Sequence, residues 1–278
     1  MGGTQLEFID EKDYGFSLHE FRSIIKPNIN NLSNKDFIKK QKKLLKLSGI
    51  NQRLSNKKSN EIRIKCKFLG EKGWAISPYW RPRKNETWYD TWFWMAYDNM
   101  AEKITDYFLE DDYLLLKSIN GYTRFEVDRY DWFTEAEILF EKHHYTSCAM
   151  LLTAILEESV RKCPIEGWFY KVTKFFDNAI HNKIEDYYNR NLEPLNRYIE
   201  TVLLLPSIDG FIESYFNSGY HFGKNIENRN KKEPPFLERN WLMHGLTKRE
   251  VIESDCVKLF NVICSLHYIL QTLFQEDS

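Results

Sequence analysis

The sequence predicts a mainly α protein: a helical bundle over residues 126–278, preceded by a smaller α+β region over 1–125. Three observations carry this. The stretch 133–162 contains no Gly or Pro and repeats its apolar residues at helical spacing. The last stretch, from about 254 onward, lines its apolar residues along one long face. One segment, EIRIKCKF at 61–68, alternates apolar and cationic residues with the period of a strand.

Taken in order, 34–47 (NKDFIKKQKKLLKL) spaces Phe37, Ile38, Leu44, Leu45 and Leu47 among lysines. Asn34 is available as a cap and Gly49 as a stop, so a short basic amphipathic helix is expected. In 61–68 the residues Ile62, Ile64, Cys66 and Phe68 alternate with Arg63, Lys65 and Lys67, which predicts a half-buried strand. Gly70, Gly73, Pro78 and Pro82 then interrupt regular structure. A helix is expected from Glu86 or Thr87 through Trp92, Met95, Met100 and Ile104 to Leu109, then a short strand and turn over 111–124 around Gly121.

Beyond 131 the pattern becomes helical. Ala136, Leu139 and Phe140, then Cys148, Leu151, Leu152, Ile155, Leu156 and Val160, predict two helices joined near Lys142-His143-His144-Tyr145. Adjacent histidines diverge on a helix and no Asp or Cys ligand set accompanies them, so a junction role is preferred to a metal site. Further helices are expected over 168–188, 192–205 and 208–218, with Pro194 and Pro206 blurring their ends, and a polar loop over 223–235. Thr247 and Glu250 form a capping-box pattern, with Leu246 and Val251 placed as a hydrophobic staple; the last helix starts there or later, near Ser254.

Hydrophobic residues make up 42% and charged residues 28% of the 278, which excludes disordered and fibrous classes. A net charge of -1 excludes binding of nucleic acid by bulk positive charge, so any such contact must be local. The run 35–67 is dense in Lys and Arg, and Trp74, Tyr79, Trp80, Arg81, Arg83 and Lys84 follow it. Lys39, Lys43, Arg63, Lys65, Arg81 and Arg83 are the candidate RNA contacts there, with the aromatic residues suited to base stacking. The alternative places Trp88, Trp92 and Trp94 in the core and neutralises the basic face with acidic residues of 90–141. The five cysteines, Cys66, Cys148, Cys163, Cys256 and Cys264, include no Cys-x-x-Cys pair and read as reduced, buried thiols. With no apolar leader core in 1–14 and no membrane-length apolar stretch, the expectation is a cytoplasmic protein with no membrane partner.

The segment that carries chemistry is FLERNWLMHG, where Arg239-Asn240 is followed by His244-Gly245. When RNA is cleaved by its own 2′-hydroxyl, one proton leaves the nucleophile, another reaches the leaving oxygen, and negative charge grows on the phosphoryl oxygens. A histidine in an unstructured peptide titrates at about 6.5, so an imidazole at position 244 suits proton transfer near neutrality. The forked guanidinium of Arg239 suits the phosphate, and Asn240 can orient either group. Residues five apart on a helix lie about 140° apart around its axis. One chain is therefore expected to supply half a site, with His244 at a helix end where a left-handed Gly245 turns the chain away. Two copies around a dyad would complete it.

FLERNWLMHG followed by a long apolar helix, and preceded by FTEAEILFEKHHYTSCAMLLTAILEESVRK, resembles the HEPN superfamily over roughly half of the chain. The resemblance implies a helical bundle, often dimeric, in which many members cut RNA without a metal or other cofactor and leave a 2′,3′-cyclic phosphate and a 5′-hydroxyl. Others act in toxin systems, phage defence or RNA processing. Arg239 and His244 fall on the family's defining positions and Asn240 on the polar position that follows the arginine. Toxins of the family that pair with a nucleotidyltransferase carry a tyrosine two residues after the histidine; Leu246 stands there, which disfavours that partnership. Glu157 or Glu158 is a candidate carboxylate facing the site. RNA, a second copy and an antitoxin or regulatory protein are the expected partners. Two other readings stay open: a non-catalytic HEPN-like module that binds protein or nucleic acid, and an antitoxin or assembly subunit.

Overall fold

A computed structural model describes residues 56–79, 89–161, 199–217 and 233–274. The basic helix expected at 34–47, the helix at 168–188 and most of the polar loop at 223–235 lie outside the described residues, as do Cys163, Lys39, Lys43, Arg81 and Arg83. Among the described residues the helices are α1 (Asn56–Glu71), α2 (Asp90–Tyr97), α3 (Ile104–Glu126), α4 (Tyr130–Glu141), α5 (Tyr145–Arg161), α6 (Leu205–Asn217), α7 (Arg239–Met243) and α8 (Glu253–Phe274). A π-type turn, Ile199–Leu204, leads into α6. No strand occurs among the described residues.

The segment expected to be a strand at 61–68 lies inside α1. Its buried residues are Ile62, Cys66 and Leu69, at helical spacing, while Ile64 is 70% exposed. Ile62 and Cys66 satisfy both periodicities, being four apart, so alternation alone chose the wrong one. Tertiary packing explains the outcome, because α1 crosses α6 at backbone contact. A Cβ added to Gly70 would stand 2.0 Å from the Ser207 carbonyl oxygen, and one added to Gly210 would stand 2.1 Å from that of Lys67. Glycines here permit an approach that no side chain allows, and the helix that makes it overrides β-propensity. Lys67 reaches across the same crossing to Asp209 at 3.2 Å and Glu213 at 2.7 Å. Burial pushes the Asp209 carboxyl up to about 6 even though Lys67 pulls it down.

The chain leaves α1 through Gly73, at φ +90°, and runs buried and without regular secondary structure over 74–77. A buried loop must find partners for its backbone. It finds them in side chains of two later helices: Ser207 Oγ accepts from Ile76 N at 2.9 Å, Asn261 Nδ2 donates to Ala75 O at 2.7 Å, and Ser265 Oγ donates to Ile76 O at 2.9 Å. Trp74, expected at a base-stacking surface, is instead fully buried against Trp92 and Phe108. Tyr79 is half-buried against Tyr122. Trp92 is in the core as expected, but Trp94 is 48% exposed.

The helix expected to run to Leu109 breaks at 98–100, a short 3-10 turn (Ala101–Lys103) comes next, and α3 begins at Ile104. The strand and turn expected over 111–124 belong to α3, which is kinked where Asp111, Asp112 and Tyr113 take left-handed backbone angles. Leu116, Ile119 and Thr123 return to helical spacing on the buried face. The helix pair predicted after 131 is present as α4 and α5, joined at 142–144 with His143 at φ +59° and its Nδ1 2.7 Å from the Tyr145 hydroxyl. Phe260 of α8 packs edge-on against Phe133 and Phe140 of α4, each pair adding about 1 kcal/mol to the area it buries. The 125/126 boundary falls at the last residue of α3, and residues from both sides share one hydrophobic cluster.

Helix α8 starts at Glu253, the later of the two expected starts. Asp255 Oδ2 accepts from Ile252 N at 3.0 Å, and this reach back from the third helical position secures the start in place of Thr247 and Glu250. Cys66, Cys148, Cys256 and Cys264 are buried free thiols. Burial pushes Cys264 up to about 12 and raises Cys66 further; Cys256 is raised by hydrogen bonding to Cys148 and then by burial. No described helix is long and apolar enough to cross a membrane.

Candidate active site

Arg239 and Asn240 open the five-residue helix α7 and His244 caps its other end, with hydrogen bonds holding both ends. Glu238 is the N-cap residue, with φ -134° and ψ 137°, and its side chain is buried. Its Oε2 accepts from Trp241 N at 3.0 Å, and its Oε1 accepts from Asn240 Nδ2 at 3.0 Å. One carboxylate thus satisfies an orphan amide of the first turn and fixes the Asn240 side chain.

At the other end His244 is the C-cap residue and Gly245 comes next at φ +66°. Leu246 N donates to Trp241 O at 2.8 Å and Gly245 N donates to Leu242 O at 3.1 Å. These two bonds define a Schellman termination, which uses a left-handed residue to turn the chain. The expectation that His244 stands at a helix end before a left-handed glycine holds in this geometry. His244 is exposed. The chain beyond is pinned by Glu233, which accepts from Lys248 N at 2.9 Å and Arg249 N at 3.3 Å, and by an Arg249–Asp255 pair at 2.6 Å.

Arg239 points to α5, where Glu157 receives it as a fork: Nη2 lies 3.0 Å from both Oε1 and Oε2, and Nε lies 3.3 Å from Oε2. Nη1 donates to Asn240 Oδ1 at 2.9 Å. Glu157 Oε1 also accepts from Arg161 Nη2 at 2.9 Å. Of the two expected carboxylates, Glu157 therefore faces the motif, while Glu158 pairs with Arg129 at 3.2 Å. Behind α7, Tyr215 of α6 shares a hydrogen bond of 2.5 Å with Thr153 of α5, and burial raises its hydroxyl above the ordinary tyrosine range.

The two described N-terminal candidates, Arg63 and Lys65, do not join this site. Lys65 bonds Asp90 at 2.9 Å and sits over the Phe93 and Trp94 rings, and Arg63 lies half-buried elsewhere on α1. Sequence reading missed Glu238 and Arg161. Glu is a poor N-cap by preference, so position 238 carried no signal; Glu157 and Arg161, four apart, were readable as a helical ion pair. Comparison with known proteins finds no matching family model, no matching curated protein and no matching solved structure.

Proposed function

We propose that this chain is a metal-independent endoribonuclease of the HEPN type, acting as a homodimer. The observation that carries it is the construction of α7: Arg239 and Asn240 are held by carboxylates at one end, while His244 is exposed at the other. His244 takes or gives the proton of the 2′-hydroxyl or the 5′-oxygen. Arg239, oriented by Glu157, neutralises charge on the phosphoryl oxygens, a preorganised arrangement that lowers the barrier without reorganisation. Opposite ends of a five-residue helix are poor neighbours for a single phosphate, so arginine and histidine from two copies around a dyad complete the site. The products are a 2′,3′-cyclic phosphate and a 5′-hydroxyl. The cellular setting that fits is a prokaryotic toxin, phage-defence or stress system in the cytoplasm, with an antitoxin or regulatory partner restraining the nuclease.

A second reading is favoured by the same Arg239–Glu157 fork, which is also what a structural ion pair looks like: the chain is then a non-catalytic HEPN-like binding module. Incubation with total RNA in excess chelator separates the two. The nuclease reading expects cleavage by the wild type and a loss of about 100-fold or more in Arg239→Ala and His244→Ala. The module reading expects no cleavage at any protein concentration.

A further inference from the structure

We propose that Cys148 and Cys256 are a redox-active pair, joined by hydrogen peroxide in a disulfide that ties the first turn of α5 to the first turn of α8. The pair stands on different residues from the endoribonuclease reading and does not depend on it.

Both side chains are buried, and both are free thiols. Cys256 Sγ donates to Tyr145 O at 3.3 Å, which places it against the opening turn of α5. Cys148 lies three residues on from Tyr145, on the same side of that helix, and the two thiols are hydrogen-bonded to each other. The same two turns share a further contact, where the Tyr145 hydroxyl donates to Glu253 Oε1 at 3.4 Å. Closing an S–S bond of about 2.05 Å from hydrogen-bonding contact needs a shift of about 2 Å. Helix ends supply such a shift more readily than helix middles.

The chemistry follows from the contact. A thiolate that attacks hydrogen peroxide breaks the O–O bond, becomes a sulfenic acid and releases hydroxide, which takes up the thiol proton. With a second thiol in contact, that sulfur attacks the sulfenic sulfur, the S–S bond forms and water leaves. Two thiols and one peroxide thus give one disulfide and two waters, with the two electrons passing to the peroxide oxygens.

In the closed fold the pair is silent, because the hydrogen bond to Cys148, and then burial, hold the Cys256 proton. Access comes from position. Thr146 and Ser147 of α5 and Ile252 ahead of α8 are exposed, so the thiols sit just beneath the surface at two helix ends, where local opening costs least. Cys66 and Cys264 are also buried but stand well inside α1 and α8. The disulfide would close a loop of roughly 100 residues, containing α6 and α7, and so restrict the unfolded chain.

The test oxidises the reduced full chain with hydrogen peroxide under native conditions, blocks remaining thiols with a maleimide in urea, and maps the products by mass spectrometry without reductant. The expected product is a monomeric chain lighter by two hydrogens, with the peptides of Cys148 and Cys256 linked and Cys66 and Cys264 carrying maleimide. Its melting temperature should exceed that of the reduced protein by about 5 °C or more and return with dithiothreitol. Cys148→Ala and Cys256→Ala should each abolish the peroxide-dependent rise, while Cys163→Ala should keep it. If Cys148 and Cys256 both still carry maleimide after peroxide, or if either is linked to another cysteine, the proposal is overturned. Mapping of the wild type decides this even where an alanine variant fails to fold.

Discussion

The crossing of α1 over α6 and the α7 turn are both held tightly, but by different physics. At the crossing, backbone meets backbone through Gly70 and Gly210, and a buried loop is fastened by Ser207, Asn261 and Ser265. Geometry there is imposed by exclusion, because an added Cβ at either glycine would run into the facing backbone. At α7, a five-residue helix too short to be stable alone is held by Glu238, by a Schellman turn and by the Arg239–Glu157 fork. Nothing lies within 4 Å of a Cβ added to Gly245. The scaffold is fixed by volume and the site by hydrogen bonds, so substitutions separate stability from chemistry.

The largest effect is expected at the crossing. Gly210→Ala or Gly70→Ala forces a methyl into a backbone carbonyl and should cost about 3 kcal/mol or more in urea unfolding. A cost of a few tenths would dissolve the contrast between the regions.

Next comes Asp209, whose folded value of about 6 lies above its ordinary 3.8 because of burial. The folded protein holds that proton more tightly than the unfolded chain, so its contribution is fully present below about pH 4 and is lost as pH rises through about 6. Asp209→Asn, which imitates the protonated group, should therefore be more stable than wild type at pH 7.5 by on the order of 2 kcal/mol. The gap should close as pH falls toward 4. Denaturation curves at a series of pH values check both the sign and the window.

Glu238→Ala removes the cap of α7 and one anchor of Asn240, for an expected loss of about 1–2 kcal/mol. Amide exchange at Trp241 should rise before global stability falls noticeably. The smallest effect is expected at Gly245→Ala, where the added methyl has room and only the left-handed backbone objects, at about 1 kcal/mol. Gly245→Asn should cost less. Should Gly245→Ala prove as damaging as Gly210→Ala, the α7 turn would have to be as sterically fixed as the crossing.

The same division explains what the sequence could reveal. The α4–α5 pair, the apolar face of α8 and the left-handed Gly245 after His244 were legible because each is written in local spacing. The helix at 61–68 was not, since Ile62 and Cys66 fit two periods and the deciding partner, Gly210, lies far along the chain. Trp74 and Trp94 exchanged their expected places for the same reason: burial of an aromatic residue depends on which helices meet over it. Within the site, Arg239, Asn240 and His244 were visible as residues with the right chemistry. Glu238 acts through a cap that its residue type does not advertise, and the Arg239–Glu157 fork joins residues 82 apart in the chain.

The measurement that bears most directly on the α7 site compares wild type, Arg239→Ala and His244→Ala for RNA cleavage in chelator, with melting temperature followed in parallel and product ends identified. The expected result is cyclic-phosphate products from the wild type, loss of about 100-fold or more in both variants, and melting temperatures within a few degrees of wild type. Undiminished cleavage in either folded variant, or its absence from the wild type as well, would contradict the assignment.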